Sequence, residues 1–370
     1  MFTQNGETGG AALESSSLAR TMTTRPAVVL LNLGGPDSLD SVQPFLYNLF
    51  SDPDIFRLPL ARFTQKPFAA LISRRRAREA AKGYAAIGGK SPLLEHTRAQ
   101  AQALQQALAA PAAMAGAAGS PAEPARAGGS EPGAAGPDAL ADVYVCMRHW
   151  HPLAAEVVAD LKRKGHARVI LLPLYPQYSV TTTGSARNAF ERECRRLDYH
   201  PEIRLIREWY DEPLYQQAIV TRIETELARL PDPDPARVEL LLSAHGLPRR
   251  VVDAGDPYER QIAATADGVR TRLGWPHVTL CYQSRVGPLE WLKPYTDDVI
   301  RAKARAGVKQ MLVYPIAFVS DHVETLYELG ITYAALAREC GIEHYRVAPA
   351  LNADPLLIGA LRARVARELH

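Results

Sequence analysis

Short apolar runs recur along this chain, and nearly every one stops at a glycine or polar turn that opens a helical stretch. Residues 27–33 read AVVLLNL, 142–147 DVYVCM, 168–174 RVILLPL, 238–243 VELLLS and 311–317 MLVYPIA. Shorter runs at 203–206, 278–282 and 343–348 complete the set. A run that is apolar at almost every position reads as a strand buried on both faces. Strands that alternate with helices imply parallel sheets covered by helices on both sides. The alternation occurs twice, and 370 residues suit about two domains. The expected division is a disordered tail at 1–25, a first half at 26–179, a second at 180–349, and a closing helix within 350–370 that joins the first half. Residues 111–137 are built from Ala, Gly, Pro, Ser and Glu without periodicity, and read as a low-complexity loop inserted in the first half.

Several function classes are excluded at this stage. Lys plus Arg number 43 against 40 Asp plus Glu, a net charge of +3, which is too balanced for a general nucleic-acid binder. No apolar run approaches the ~20 residues of a membrane-spanning helix, and the N-terminus has neither the basic start nor the apolar core of a signal peptide. Cys146, Cys194, Cys281 and Cys340 form no C-x-x-C pair, which suits a reducing cytosol. The GGKS at 88–91 lacks the glycine spacing and the preceding strand of a phosphate loop, and Pro36 and Asp37 spoil a dinucleotide motif after the first strand.

Chemistry concentrates where strands end. After the run at 311–317 come Asp321, His322 and Glu324, with Glu328 one helical turn further on and on the face of Glu324. Asp321-x-x-Glu324 also fits a plain helix start, with Asp as cap and Glu reaching back. His245 closes the strand at 238–243, so two strands of one sheet present an imidazole and a carboxylate to one crevice, where open α/β sheets bind ligands. A helix cap does not account for His245, and the pair favours proton or cation chemistry. His149 and His151 read more simply as hydrogen-bonded structural residues. Residues 55–72 are apolar but interrupted by Pro59 and Pro67, making neither a good strand nor a long helix; they fit a core segment or a greasy lip. Ser73 then starts a basic helix with Arg74, Arg75, Arg76 and Arg78, a solvated face or an anion clamp.

The segments LLNLGGPDS, RRRAREAAKGYAAIGGKSPL, LPLYPQYS, LLSAHGLP, GDPY, YQSRVGPLEWLKPYTDD and PIAFVSDHVETLYEL together resemble the ferrochelatases, which insert ferrous iron into a porphyrin at the end of haem synthesis. The resemblance spans most of residues 26–352. It implies an α/β fold of two Rossmann-like domains with the porphyrin cleft between them. It implies His245 and Glu324 as the catalytic and metal-binding pair, and Glu328 on a metal path. Leu33, Arg76, Tyr84, Ser91, Arg148, Trp291, Phe318 and His322 are the implied porphyrin contacts. The implied substrates are Fe2+ and protoporphyrin IX, with coproporphyrin III or a non-catalytic tetrapyrrole carrier as alternatives. No permanent cofactor and no iron–sulfur cluster are expected. The implied setting is cytoplasmic, with a peripheral membrane contact through 55–72 at the inner face and a preceding haem-pathway oxidase as partner. Thr332 and Gly330 stand where many relatives carry acids, and His149 where tyrosine is usual.

Overall fold

The computed structural model describes residues 25–56, 60–109 and 139–369. Residues 1–24 of the expected tail, the low-complexity loop and residues 57–59 of the interrupted segment therefore lie outside the described residues, while Arg25 pairs with Asp142 at 3.1 Å.

The first half builds β1 (Ala27–Asn32), α1 (Val42–Phe50), α2 (Ala61–Ala86), α3 (Leu93–Ala109), β2 (Asp142–Met147), α4 (Ala154–Lys164), β3 (Arg168–Pro173), a short π-helix π1 (Val180–Gly184), α5 (Ser185–Arg196) and β4 (Glu202–Leu205). The second builds α6 (Pro213–Leu227), β5 (Val238–His245), α7 (Arg249–Asp253), α8 (Tyr258–Leu273), β6 (Val278–Gln283), α9 (Thr296–Arg305), β7 (Gln310–Pro315), a π-helix π2 (Glu324–Tyr333), α10 (Ala334–Glu339), β8 (His344–Val347) and α11 (Pro355–Leu369). The strands form two four-stranded sheets of orders β2-β1-β3-β4 and β6-β5-β7-β8. Every pairing is parallel. Leu30 sits opposite Val145 and Leu172, and Leu242 opposite Leu280 and Tyr314, so each central strand is flanked by apolar neighbours in register.

Alternation along the strands divides the core. Val28 and Leu30 point to the same cluster as Leu240, Leu242, Leu312 and Tyr314, and helices α3, α6, α8 and α11 fill the space through Leu104, Ile219, Ile262 and Leu361. The two sheets thus share one inner core. Ala27, Val29 and Leu31 face α4 and α5 on the outer side, and Met311 and Val313 face α9 and α10. Each fully buried Leu or Ile in these layers contributes roughly 1.5–3 kcal/mol.

Two local expectations change. The first sheet runs past residue 179, where the first half was expected to end, because β4 pairs with β3 and α5 packs in the same outer cluster. The switch between sheets falls after β4. The interrupted segment is not irregular from residue 61 onward: α2 runs through Pro67 and absorbs the basic helix expected from Ser73. Proline costs a helix a donor and a steric clash, but Ala69 and Tyr84 of α2 are buried against Phe45, Leu46 and Phe50 of α1, and this packing holds the helix together. Helix α9 begins at Thr296, just after Pro294. Pro294 removes a donor and biases the residue before it away from helical angles.

Candidate active site

β5 carries His245 to the carboxyl edge of the second sheet, and Gly246 turns the chain immediately. A Cβ at Gly246 would come within 3.0 Å of the Gln283 carbonyl, which accepts the Gly246 N–H. The Tyr258 hydroxyl donates to the His245 carbonyl at 2.8 Å and anchors the strand end to α8. The imidazole lies edge-on between Trp291 and Phe318, with ring centroids 6.4 and 6.2 Å away. Its Nδ1 is 2.8 Å from Glu324 Oε2.

Glu324 opens π2, and its neighbours complete a polar cluster. The Ser284 hydroxyl lies 3.0 Å from Glu324 Oε2 and 2.5 Å from Glu328 Oε2. The Ser284 N–H donates to Glu328 Oε1 at 2.9 Å, and the Tyr333 hydroxyl donates to the same oxygen at 3.1 Å. The Gln283 amide donates to the Glu324 carbonyl and to Glu328 Oε2, both at 3.3 Å. One hydroxyl holds one proton, so Ser284 can donate to only one carboxylate at a time. The contact to the other is satisfied when Glu328 itself carries a proton.

The electrostatics agree with that arrangement. Partial burial pulls His245 toward the neutral form, but the Glu324 charge, their hydrogen bond and Glu328 outweigh it and raise the imidazole above its usual 6.5. Burial would raise Glu324; His245, its hydrogen bond, His322 and Ser284 more than reverse that and hold it below the usual carboxylate range. Glu328 moves the other way, pushed up by burial and by the Glu324 charge. Burial, then Glu324, raises the Tyr84 phenol. The pair is open to solvent, with 33% of the His245 and 23% of the Glu324 side chain exposed. Among the described residues no three His, Cys, Asp or Glu side chains converge as a closed metal shell. A His–Glu pair with free coordination positions suits a cation that must leave again.

Asp321 does not cap the helix. Its carboxylate accepts the Thr325 hydroxyl at 2.9 Å, the Ala350 N–H at 3.1 Å and the Asn352 amide at 2.8 Å, tying the loop after β7 to the segment after β8. Glu324 is thereby left to face His245. His322 is buried, with Nδ1 3.1 Å from the Ser320 carbonyl and its ring 4.4 Å from Phe318; burial keeps it below 6.5.

His245, Glu324, His322, Phe318 and Trp291 thus form one cluster with Glu328 beside it. Tyr84 is buried on α2, whose Gly83 packs against Val323 and Tyr327 at the head of π2. Leu33 and Arg148 follow β1 and β2 at the corresponding edge of the first sheet, and Ser91 is held there by donating its N–H to the Pro36 carbonyl at 2.8 Å. Arg76 is exposed on α2. The Arg148 guanidinium is engaged within the first half, 2.8 Å from Asp52 Oδ2 and 2.7 Å from Ser185 Oγ. His151 bonds Glu156 as expected of a structural histidine. His149 departs from that expectation: it is fully buried, neither ring nitrogen has a hydrogen-bond partner among the described residues, and burial drives it well below 6.5. Ser284, Gln283 and Tyr333 escaped the sequence reading. The strand-end rule that found His245 applies equally to Ser284, which follows the last residue of β6.

The Ferrochelatase family model matches residues 25–124 and 133–369. A ferrochelatase of Synechococcus sp. (strain JA-3-3Ab) is 46% identical over 350 residues, covering 92% of this chain and 93% of its own. A ferrochelatase of Gloeothece citriformis is 42% identical over 353 residues, covering 93% of this chain and 83% of its own. Among solved structures, SirB from Bacillus subtilis with Fe3+ shares the fold at a TM-score of 0.51 and 10% identity, covering 93% of this chain and 95% of that one.

Proposed function

The chain belongs to the ferrochelatase family of porphyrin metal chelatases, and from that footing we propose that it inserts Fe2+ into protoporphyrin IX through His245 and Glu324. The observation that carries this reading is the 2.8 Å contact between His245 Nδ1 and Glu324 Oε2 at a partly open sheet edge flanked by Trp291 and Phe318.

A free-base porphyrin loses two pyrrole N–H protons as one Fe2+ enters, so charge balances without electron transfer. The aromatic rims of Trp291 and Phe318 suit a flat apolar macrocycle. Imidazole and carboxylate are acceptable ligands for Fe2+ and can yield it to four pyrrole nitrogens. Neutral His245 is the proton acceptor, and Glu324 fixes its orientation and stabilises the imidazolium that forms. Glu328 stands behind the pair as the next station for a proton or the incoming metal. Leu33, Phe318, Trp291, His322 and Arg148 line the macrocycle in this reading, and Arg76, Tyr84 and Ser91 meet the propionates. The reaction calls for no resident cofactor.

Purified protein offered Fe2+ anaerobically with protoporphyrin IX or coproporphyrin III separates the two substrates by rate. His245→Ala is expected to abolish insertion while porphyrin still binds with unchanged fluorescence quenching. Normal turnover in that variant would refute the assignment. Tight haem retention without insertion by the parent protein would favour a carrier instead.

Helix α2, together with Leu60 just before it, suggests a peripheral membrane contact. Leu60, Phe63 and Leu71 are 76%, 65% and 67% exposed, among exposed Arg62, Lys66, Arg74, Arg75 and Arg78. Among the described residues no helix is long and apolar enough to cross a membrane. Apolar side chains set among cations fit an anionic lipid surface. Phe63→Ser with Leu71→Ser is expected to reduce cosedimentation with phosphatidylglycerol vesicles; unchanged binding would remove the membrane role.

A further inference from the structure

Ser284 is the first residue beyond β6 and has φ of +65°, a left-handed conformation that residues other than glycine rarely hold. Such a conformation persists only where the surroundings enforce it, and it clusters at functional sites. What it achieves here is specific. The backbone N–H and the hydroxyl of this one residue are both directed at π2 carboxylates, the first at Glu328 and the second at Glu324 and Glu328. An ordinary turn serine would bond its own loop. Behind Ser284 the brace continues: the Gln283 amide oxygen accepts the Ser243 hydroxyl at 2.8 Å, and Ser243 lies 2.9 Å from the buried Thr296 hydroxyl of α9.

We infer that Ser284 is a positioning residue for metal insertion, holding Glu324 turned toward His245 and keeping Glu328 beside it as the second carboxylate. The inference rests on the function proposed above and extends it to a residue that acts through Glu324 and Glu328. Without the hydroxyl, Glu324 keeps His245 as its only side-chain hydrogen-bond partner among the described residues, and the looser hold weakens the presentation of a metal ligand. Groups that orient metal-binding side chains typically change affinity or activity by about 10–100-fold when removed.

Ser284→Gly is the discriminating variant. Glycine accepts the left-handed backbone without strain and keeps the N–H bond to Glu328, so only the hydroxyl is lost. The expected result is a fall of about 10–100-fold in kcat/KM for Fe2+, with porphyrin affinity by fluorescence titration within about twofold of the parent. Calorimetric titration with Co2+ in the absence of porphyrin should show a matching loss of metal affinity. Iron kinetics and Co2+ affinity both within twofold of the parent would overturn the inference. Equal losses in porphyrin and metal binding would also overturn it, reducing Ser284 to a loop-shaping residue. If the parent protein inserts iron and the variant matches it, this inference alone fails; if the parent inserts none, the proposed function falls and takes the inference with it.

Discussion

At the carboxyl edge of the first sheet, Arg148 follows β2 and is closed into an ion pair with Asp52, sealed by Ser185, the carboxylate wholly buried and the arginine side chain 16% exposed. At the same edge of the second sheet, Ser284 follows β6 and serves two carboxylates, with His245 33% exposed. The strand orders are the same, and each sheet's third strand leads into a π-helix. What differs is whether the charges can change. A guanidinium has no acceptor and serves here as a donor to a buried carboxylate, so the first edge is a closed ion pair. An imidazole facing carboxylates can exchange protons near neutral pH, so the second edge can turn over. One topology therefore carries two different sets of strand-end groups, an arginine–carboxylate pair on one sheet and an imidazole facing carboxylates on the other.

The sharpest way to break this contrast is Glu324→Gln, which preserves shape and removes the charge. Insertion measured by initial rates is expected to fall by about 10²–10⁴-fold, the range for losing a positioned acid–base group. A loss below tenfold would show that the two edges do not differ in kind. On the first edge, Asp52→Ala leaves Arg148 without its buried partner. Urea unfolding should show a loss of about 3–5 kcal/mol, with the folded fraction still inserting metal within a few-fold of the parent. A stable but inactive variant would move Asp52 into the chemistry.

A smaller effect separates the edges by pH. His245 is raised above 6.5 because Glu324 and Glu328 face it, and only its neutral form accepts a proton. The acid limb of kcat/KM is therefore expected above pH 6.5, and in the residual activity of Glu324→Gln it should move down as the attraction is lost while burial persists. For stability the signs are opposite within the pair. The raised His245 stabilises below pH 6.5, and that contribution is lost as pH climbs through its folded value. The lowered Glu324 stabilises above pH 4.5, and that contribution is lost as pH falls through its own. A limb unmoved by Glu324→Gln would mean that His245 is not the titrating base.

Much of this was legible in the residues themselves. Runs such as AVVLLN and VELLLSAH are apolar at nearly every position, and hydrophobic burial on both faces leaves them few options but central parallel strands. His245 and Glu324 were readable for a related reason: polar residues that abruptly end such runs must lie at a sheet edge, where a crevice forms. Helix α2 was not readable, because local propensity counts Pro67 against a helix and cannot count the burial of Ala69 and Tyr84 against α1. The strand at 203–206 was readable, but not its sheet: β4 is partly buried and only four residues long, and its ladder to β3 places it in the first sheet.

Continuous apolar runs and the chemistry of strand ends thus pointed, from sequence alone, to two parallel sheets and to an imidazole and a carboxylate at one sheet edge. Tertiary structure decided which partners those groups keep. Asp321 could have capped the helix, but the contacts from the distant Ala350 and Asn352 draw it away. Ser284 became part of the site because residues 40 and 44 positions later fold back onto it. Local preferences act over a few residues, whereas hydrogen bonds between distant segments exist only once the shared core has brought them together.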